Sequence, residues 1–225
     1  MIIRIRRFLL GFHPSAFLLA AQLLLLILYT VFEELPSDQA MLSAFGVVVL
    51  MLVVWVVYRS PAVNWIALAL AIPALVLSLV SAFFADPTLL AWASLLEAAL
   101  YFYAAGSLIA YMMGDYQVTI DELFAAGATF TLLAWGFAYL HLVCQTLSPG
   151  SFFSEITAGR PLTFIELLFL SFTNLSSVGL SDIFPVTKMA RVLLMLEQFA
   201  GVGYVAVVVS RLVGLTIQRQ NRKRA

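Results

Sequence analysis

The stretch Ser176–Pro185 reads SSVGLSDIFP and lies between two strongly apolar runs. It is short and polar, and it carries one glycine. Non-helical backbone is tolerated at membrane depth only where protein buries it or where it lines water, because unsatisfied amides are costly in hydrocarbon. The place of this stretch relative to a bilayer therefore decides the fold.

The composition of the chain is that of an integral membrane protein. It has 225 residues, of which 63% are hydrophobic and 11% are charged, and its mean hydropathy is +1.03. Since a run of about 20 apolar residues crosses a bilayer as a helix, we predict an all-α membrane protein with six transmembrane helices. The predicted spans are 15–33, 41–58, 62–85, 88–113, 122–147 and 188–217.

Basic residues flank both ends of the predicted membrane region. Arg4, Arg6 and Arg7 precede the first span, and residues 219–224 include three arginines and one lysine. Because basic residues concentrate in cytoplasmic segments, we expect a multi-pass protein of the cell membrane with both termini in the cytoplasm. The apolar run 15–32 is too long for a typical signal-peptide core and is expected to remain as the first helix.

The segment between the fifth and sixth predicted spans divides into two parts. Residues 148–160 are expected to form an exposed outer loop. Residues 161–176 are apolar but too few for a span; Pro161 suits a first helical turn, and Thr163 and Glu166 are spaced as a capping box. This length fits a re-entrant helix, and SSVGLSDIFP is then its return path. Several identical copies around an axis would protect such loops and place them along a pore.

The return path and its flanks follow the pattern of a known family. Residues 177–182 read Ser-Val-Gly-Leu-Ser-Asp, followed by Ile-Phe-Pro-Val-Thr at 183–187. This order resembles the filter signature Thr-Val-Gly-Tyr-Gly-Asp of potassium channels and its common continuation. Arg191 and Gly201 fall where many bacterial members have an arginine and an inner-helix hinge glycine. Over about residues 120–217 the chain resembles the pore domain of the potassium-channel superfamily, in particular its bacterial six-helix channels, with a degenerate selectivity filter.

The resemblance implies a homotetramer around a central pore and a division of the chain into four parts. These are a cytoplasmic N-terminal segment (1–14), a four-helix membrane domain without a voltage sensor (15–113), a pore domain (114–217) and a basic cytoplasmic tail (218–225). Within the pore domain, the implied parts are a pore helix (161–176), the filter (177–182) and an inner helix (188–217).

In such a tetramer, four loops replace the hydration shell of an ion with rings of oxygen atoms. The resemblance assigns ion coordination to the filter residues Ser177, Val178, Gly179, Leu180 and Ser181. A monovalent cation, K⁺, would bind at the first three. Asp182 would form a ring of carboxylates at the outer mouth, which concentrates cations.

Two filter positions depart from the family pattern. The second glycine of the signature has a positive φ, and Ser181 at that position would cost roughly 1–2 kcal/mol in each subunit. Leu180 replaces a tyrosine whose hydroxyl holds the filter taut in the family. We therefore expect K⁺ permeation with reduced discrimination against Na⁺.

Several other residues have a functional and a purely structural interpretation. Glu97 and His141 are candidate sensors, or are simply buried and hydrogen-bonded. Glu197 is expected to support the filter together with Thr173 or Asn174, with a gating carboxylate as the alternative.

Two glycines of the last span leave a similar choice open. Gly201 and Gly203 are candidate hinges of the inner helix, or they permit close helix packing.

The sequence contains no Walker loop, no metal-ligand cluster and no nucleophile beside a base, so we predict no enzyme activity and no cofactor. The fourth span has no Lys or Arg, which argues against voltage gating. The expected partners are further copies of the chain and membrane lipid, with no nucleic acid and no soluble substrate. The predicted function is a cation channel of the potassium-channel type, in which K⁺, and Na⁺ to some extent, is the permeating ion. The alternative is a non-conducting pore scaffold that acts as a membrane sensor or interaction subunit.

Overall fold

The computed structural model of the chain describes residues 14–32, 51–52, 54–55, 64–84, 86–114, 119–157 and 159–224. This part is mostly helical, as predicted. The helices are α1 (Pro14–Phe32), α2 (Asn64–Phe84), α3 (Pro87–Met113), α4 (Ile120–Leu147), α5 (Phe164–Leu175) and α6 (Lys188–Arg224), with two short strands, β1 (Phe152–Ser154) and β2 (Ile183–Pro185). Most of the predicted second span, 41–58, lies outside the described residues.

Within the described residues, three helices are long and apolar enough to cross a membrane. They are α3, α4 and the Lys188–Val208 part of α6. The described apolar parts of α1 and α2 are shorter, Ser15–Leu28 and Trp65–Ser81. The chain is therefore a membrane protein, and six crossings stay a prediction.

The helix starts follow from local capping residues. Asp86 precedes α3, where its side chain accepts the N–H of Thr88 at 2.8 Å, and Pro87 occupies the first helical position, which needs no N–H. Thr119 caps α4 by accepting the N–H of Glu122 at 3.2 Å. Both helices therefore begin where a cap satisfies a backbone donor that has no partner in the first turn.

Helix α4 lies at the centre of the packing and contacts α1, α3, α5 and α6. Two glycines let its neighbours approach. A Cβ on Gly127 would lie 2.9 Å from Leu19 of α1, and one on Gly136 would lie 3.1 Å from Phe102 of α3. The two glycines therefore let α4 pack closely against α1 and α3.

The segment that precedes α5 differs from the exposed loop predicted for residues 148–160. Strand β1 pairs antiparallel with β2, with Phe152 opposite Pro185 and Ser154 opposite Ile183. Phe152 and Ser154 are buried. The prediction of an exposed loop was wrong, because β2, which follows the filter loop, lies close enough to β1 to pair with it.

The predicted pore helix begins three residues later than expected. Pro161 is exposed and lies before the N-cap residue Thr163, so it does not occupy the first helical turn. The capping box itself is confirmed, and the helix ends at Leu175. Helix α6 continues without a break to Arg224, through most of the predicted tail.

Candidate functional site

The start of α5 is fixed by a capping box and an arginine. The Thr163 N–H donates to Glu166 Oε2 at 2.7 Å, and the Glu166 N–H donates to Thr163 Oγ1 at 3.4 Å. Arg160 also donates twice to the Glu166 carboxylate, at 2.7 and 3.0 Å. Partial burial raises the pKa of Glu166, but the hydrogen bonds from Arg160 and Thr163 outweigh it and hold this pKa below its usual range. The carboxylate is therefore charged and in place at neutral pH.

The inner half of the filter loop folds back onto the end of α5. The carbonyl oxygen of Thr173 accepts the N–H groups of Val178 and Gly179, each at 3.0 Å, and the Asn174 carbonyl accepts the Ser177 N–H at 2.9 Å. The loop amides are thus directed to α5. Thr173 and Asn174 were predicted to support the filter, and the structure brings both into contact with it through their backbone oxygens.

The carbonyl oxygens of the same loop have no such partner. Within the described part of the chain, the carbonyls of Ser177, Val178 and Gly179 accept no hydrogen bond. Val178 is 59% exposed. The loop therefore offers three successive backbone oxygens that the chain itself does not use.

The backbone of the filter loop departs from the expectation for Ser181. Among the described residues, only Ser177 combines a positive φ, 60°, with a side chain; Gly179 has a φ of 65°. Ser181 has no positive φ, so the predicted strain at that residue was wrong. The left-handed turns lie in the inner half instead, where the loop reverses to bring its amides to Thr173. Ser181 uses its hydroxyl to accept the Ile183 N–H at 3.1 Å.

The carboxylate at the outer end of the loop is held by strand β1. Ser154 Oγ donates to Asp182 Oδ2, while Asp182 itself remains exposed. Sequence reasoning missed Ser154, because the two residues are 28 positions apart and no local pattern connects them. Strand β1 therefore orients the Asp182 carboxylate.

Glu197 lies behind the loop with partners other than those predicted. Its Oε2 is 2.9 Å from His141 Nε2, and Ser171 Oγ donates to its Oε1. The prediction that Thr173 or Asn174 bonds Glu197 was wrong: the Thr173 hydroxyl donates to a backbone oxygen within α5. Ser171 was missed, and its only sequence signal was a hydroxyl in an apolar run.

Asn174 instead contacts the neighbouring residue of α6. Gln198 Nε2 donates to Asn174 Oδ1 at 3.3 Å, and Asn174 Nδ2 donates to the Leu170 carbonyl within α5. Asn174 therefore links the two helices by its side chain and supports the loop by its backbone.

Glu97 belongs to a different part of the molecule. It is buried in α3, where it accepts the Ser78 hydroxyl of α2 at 2.8 Å and bonds Tyr139 of α4. These bonds match the structural interpretation of a hydrogen-bonded carboxyl between helices. The sensor roles of Glu97 and His141 stay predictions.

The two candidate hinge glycines of α6 have different surroundings. A Cβ on Gly201 would overlap the backbone carbonyl of Leu175 at the end of α5, whereas one on Gly203 would meet nothing within 4 Å. Close packing thus explains Gly201, and the hinge assignment of either glycine stays a prediction.

One comparison with known proteins covers the filter loop, all of α5 and most of α4 and α6. Residues 127–218 match the family model described as "Ion channel". Comparison with curated proteins and with solved structures found no match for the chain. Over residues 127–218, the chain is similar to the pore domain of this ion channel family, which is a family of channels and not of enzymes.

Proposed function

We propose that the chain is the subunit of a homotetrameric cation channel that conducts K⁺ passively, with reduced discrimination against Na⁺. The channel lies in the cell membrane, crosses it six times and has both termini in the cytoplasm. It is not gated by voltage, because α3, in the place of a voltage-sensing helix, contains no Lys or Arg.

The observation that carries this proposal is the division of backbone groups in the filter loop. The N–H groups of Ser177, Val178 and Gly179 bond α5, while their carbonyl oxygens bond nothing within the described part of the chain. Four copies around an axis would turn these oxygens into stacked rings. Such rings replace the water shell of a dehydrated cation.

The exposure of α6 supports several copies rather than one. In the single chain, 22% of the apolar stretch within Lys188–Val208 of α6 is buried. The corresponding shares are 56% for α3 and 61% for α4. A run of large apolar side chains along α6 is exposed: Met189, Val192, Met195, Leu196, Phe199, Val202 and Val205. In a tetramer, the α6 helices of the other subunits and the water of the pore would cover part of this surface. Lipid would cover the remainder.

The preference for cations over anions rests on Asp182. Each subunit adds one exposed carboxylate, oriented by Ser154, beside the loop. Four such charges at the mouth would concentrate cations and repel anions. The preference for K⁺ over Na⁺ is weaker than in full-signature channels, because Leu180 cannot donate the hydrogen bond that a tyrosine provides.

The test compares ion permeation by the native protein and by Leu180→Tyr with Ser181→Gly, both reconstituted in lipid bilayers. We expect K⁺ currents from the native protein, with a modest K⁺/Na⁺ permeability ratio from bi-ionic reversal potentials. The double variant restores the signature and should raise the ratio. Phe153→Tyr is the control, since it adds an aromatic hydroxyl to an exposed position on β1 outside the filter.

Two results would contradict the proposal in different ways. A folded tetramer that passes no cation at any tested pH, voltage or lipid composition would favour a non-conducting scaffold. Native currents whose ratio does not respond to the double variant would show that residues 180 and 181 do not set selectivity.

A further inference from the structure

Three polar side chains from three helices meet behind the filter loop. Glu197 of α6 lies between His141 of α4 and Ser171 of α5, and each residue is 0% exposed. His141 Nε2 is 2.9 Å from one carboxylate oxygen of Glu197, and Ser171 Oγ donates to the other. We call these three residues the buried triad.

The partners of His141 indicate which ring nitrogen carries the proton. Within the described residues, its Nδ1 has no hydrogen-bond partner. A proton on Nδ1 would leave a buried donor unsatisfied, whereas a proton on Nε2 is donated to Glu197. Both carboxylate oxygens then accept one hydrogen bond. Because the loss of either donor leaves a buried acceptor unpaired, the carboxylate holds α4 and α5 in fixed positions against α6.

The contact between α5 and α6 continues in register along both helices. Ser171 contacts Glu197 at one level. Four residues further along each helix, the carbonyl of Leu175 lies so close to Gly201 that no Cβ would fit. Four residues are about one helical turn. Rotation or sliding of α5 would therefore disturb two contacts at once.

The same turn of α5 holds the filter loop. Between Ser171 and Leu175 lie Thr173 and Asn174, whose carbonyls accept the loop amides. A rotation of α5 by about 20° would move atoms at the Cα radius of about 2.3 Å by about 0.8 Å. The loop would follow, since three of its amides are bonded to those carbonyls.

We propose that Ser171, Glu197 and His141 are positioning residues that set ion selectivity from behind the filter. The triad does not touch the ion. It fixes the rotation of α5, and through Thr173 and Asn174 it fixes the spacing of the oxygen rings at residues 177–179. This inference rests on the proposed function, because it names residues that tune the proposed filter.

The first test is Ser171→Ala, which removes one donor to Glu197 and little volume. We expect the K⁺/Na⁺ permeability ratio to fall about fivefold, which corresponds to about 1 kcal/mol, the scale of one hydrogen bond. The ratio is measured on single conducting channels, so a loss of folded protein lowers the number of channels and not the ratio. Ser107→Ala is the matched control, because Ser107 is a buried serine whose hydroxyl donates only within its own helix, to the Tyr103 carbonyl at 2.7 Å.

Glu197→Gln tests the same contact from the other side. Glutamine keeps the size of the side chain and one acceptor oxygen but removes the charge that both donors share. We expect Glu197→Gln to lower the K⁺/Na⁺ permeability ratio. The double variant with Ser171→Ala should lower it no more than the stronger of the two single substitutions, because the effects of substitutions within one contact are not additive.

A native ratio in both single variants, with a native ratio in Ser107→Ala, would overturn the inference and leave the proposed function standing. Additive effects of the two substitutions would also overturn it, since they would show that Ser171 and Glu197 act separately. Absence of any cation current from the native tetramer would instead overturn the proposed function.

Discussion

Ser177 has a side chain at a position where the filter loop needs a left-handed backbone. Its φ of 60° costs a residue other than glycine roughly 1–2 kcal/mol. The three hydrogen bonds from the loop to α5 offset this cost, since each adds about 0.5–1.5 kcal/mol net. The strain is therefore stored at the first residue of the proposed ion site, and glycine would relieve it.

A second residue-scale feature, the Glu166 carboxylate, gives a pH-dependent prediction. Its pKa in the folded protein is lower than the reference value of 4.5, so folding favours the charged form. The resulting stability is fully present above about pH 4.5 and is lost as the pH falls through the lower, folded value. We expect Glu166→Gln to lower the melting temperature of the purified protein at pH 7, and this difference to shrink below pH 4.5.

The size of the effect is limited by solvent. Glu166 and Arg160 are partly exposed, so the ion pair is expected to add only about 0.2–1 kcal/mol. Glutamine can still complete the capping box with Thr163. Glu155→Gln replaces an exposed acid in the same outer segment and is the control, expected to leave the melting temperature at pH 7 close to that of the native protein. If the difference in melting temperature between native and Glu166→Gln protein instead grows as the pH falls, the lowered pKa of Glu166 is contradicted.

At the scale of elements, α5 and α6 meet backbone to backbone at Gly201. We expect Gly201→Ala to destabilise the folded protein by about 1–3 kcal/mol or more, because the new methyl group would overlap a main-chain carbonyl that has no rotamer to adopt. Gly203→Ala should stabilise α6 by up to about 1 kcal/mol, since alanine favours helix and meets nothing within 4 Å. Thermal unfolding of the two purified variants shows whether each substitution stabilises or destabilises the folded protein.

The same pair of variants bears on the hinge. If α6 bends at Gly203 during gating, Gly203→Ala should also lower the open probability of single channels while raising stability. Equal destabilisation by both substitutions would contradict the different packing of the two glycines.

At the scale of the whole molecule, the sequence was informative where contacts are local. The capping box of Thr163 and Glu166 spans three residues and was predicted correctly, as were the apolar spans that became α3 and α4. Contacts between distant residues were not. His141 and Glu197 are 56 positions apart, and the overlap at Gly201 depends on a carbonyl of another helix. A sequence shows that such residues are polar or small, but only the packing of α4, α5 and α6 shows what they meet.

Helix α4 also links α1 and α3 to α6. Near its start, the buried carboxylate of Asp121 accepts the backbone N–H and the hydroxyl of Ser15 in α1, at 3.2 and 3.0 Å, and the Tyr111 hydroxyl of α3 at 3.1 Å. Slightly further along, the Ala126 carbonyl accepts the Tyr204 hydroxyl of α6 at 2.6 Å. One end of the molecule therefore joins α1, α3 and α6 through α4.

This arrangement predicts a local and separable effect of Asp121→Asn. Asparagine has one acceptor oxygen instead of two and no charge, so either the N–H or the hydroxyl of buried Ser15 loses this acceptor, at about 1–3 kcal/mol. Hydrogen–deuterium exchange should then show faster exchange at the start of α1, by about tenfold for each 1.4 kcal/mol, with α5 unchanged. Asp86→Asn is the matched control: Asp86 is exposed and caps only its own helix, and asparagine caps equally well. Faster exchange in α5 as well would show that the filter depends on the α1 contact, and unchanged exchange in α1 would show that Asp121 does not hold it.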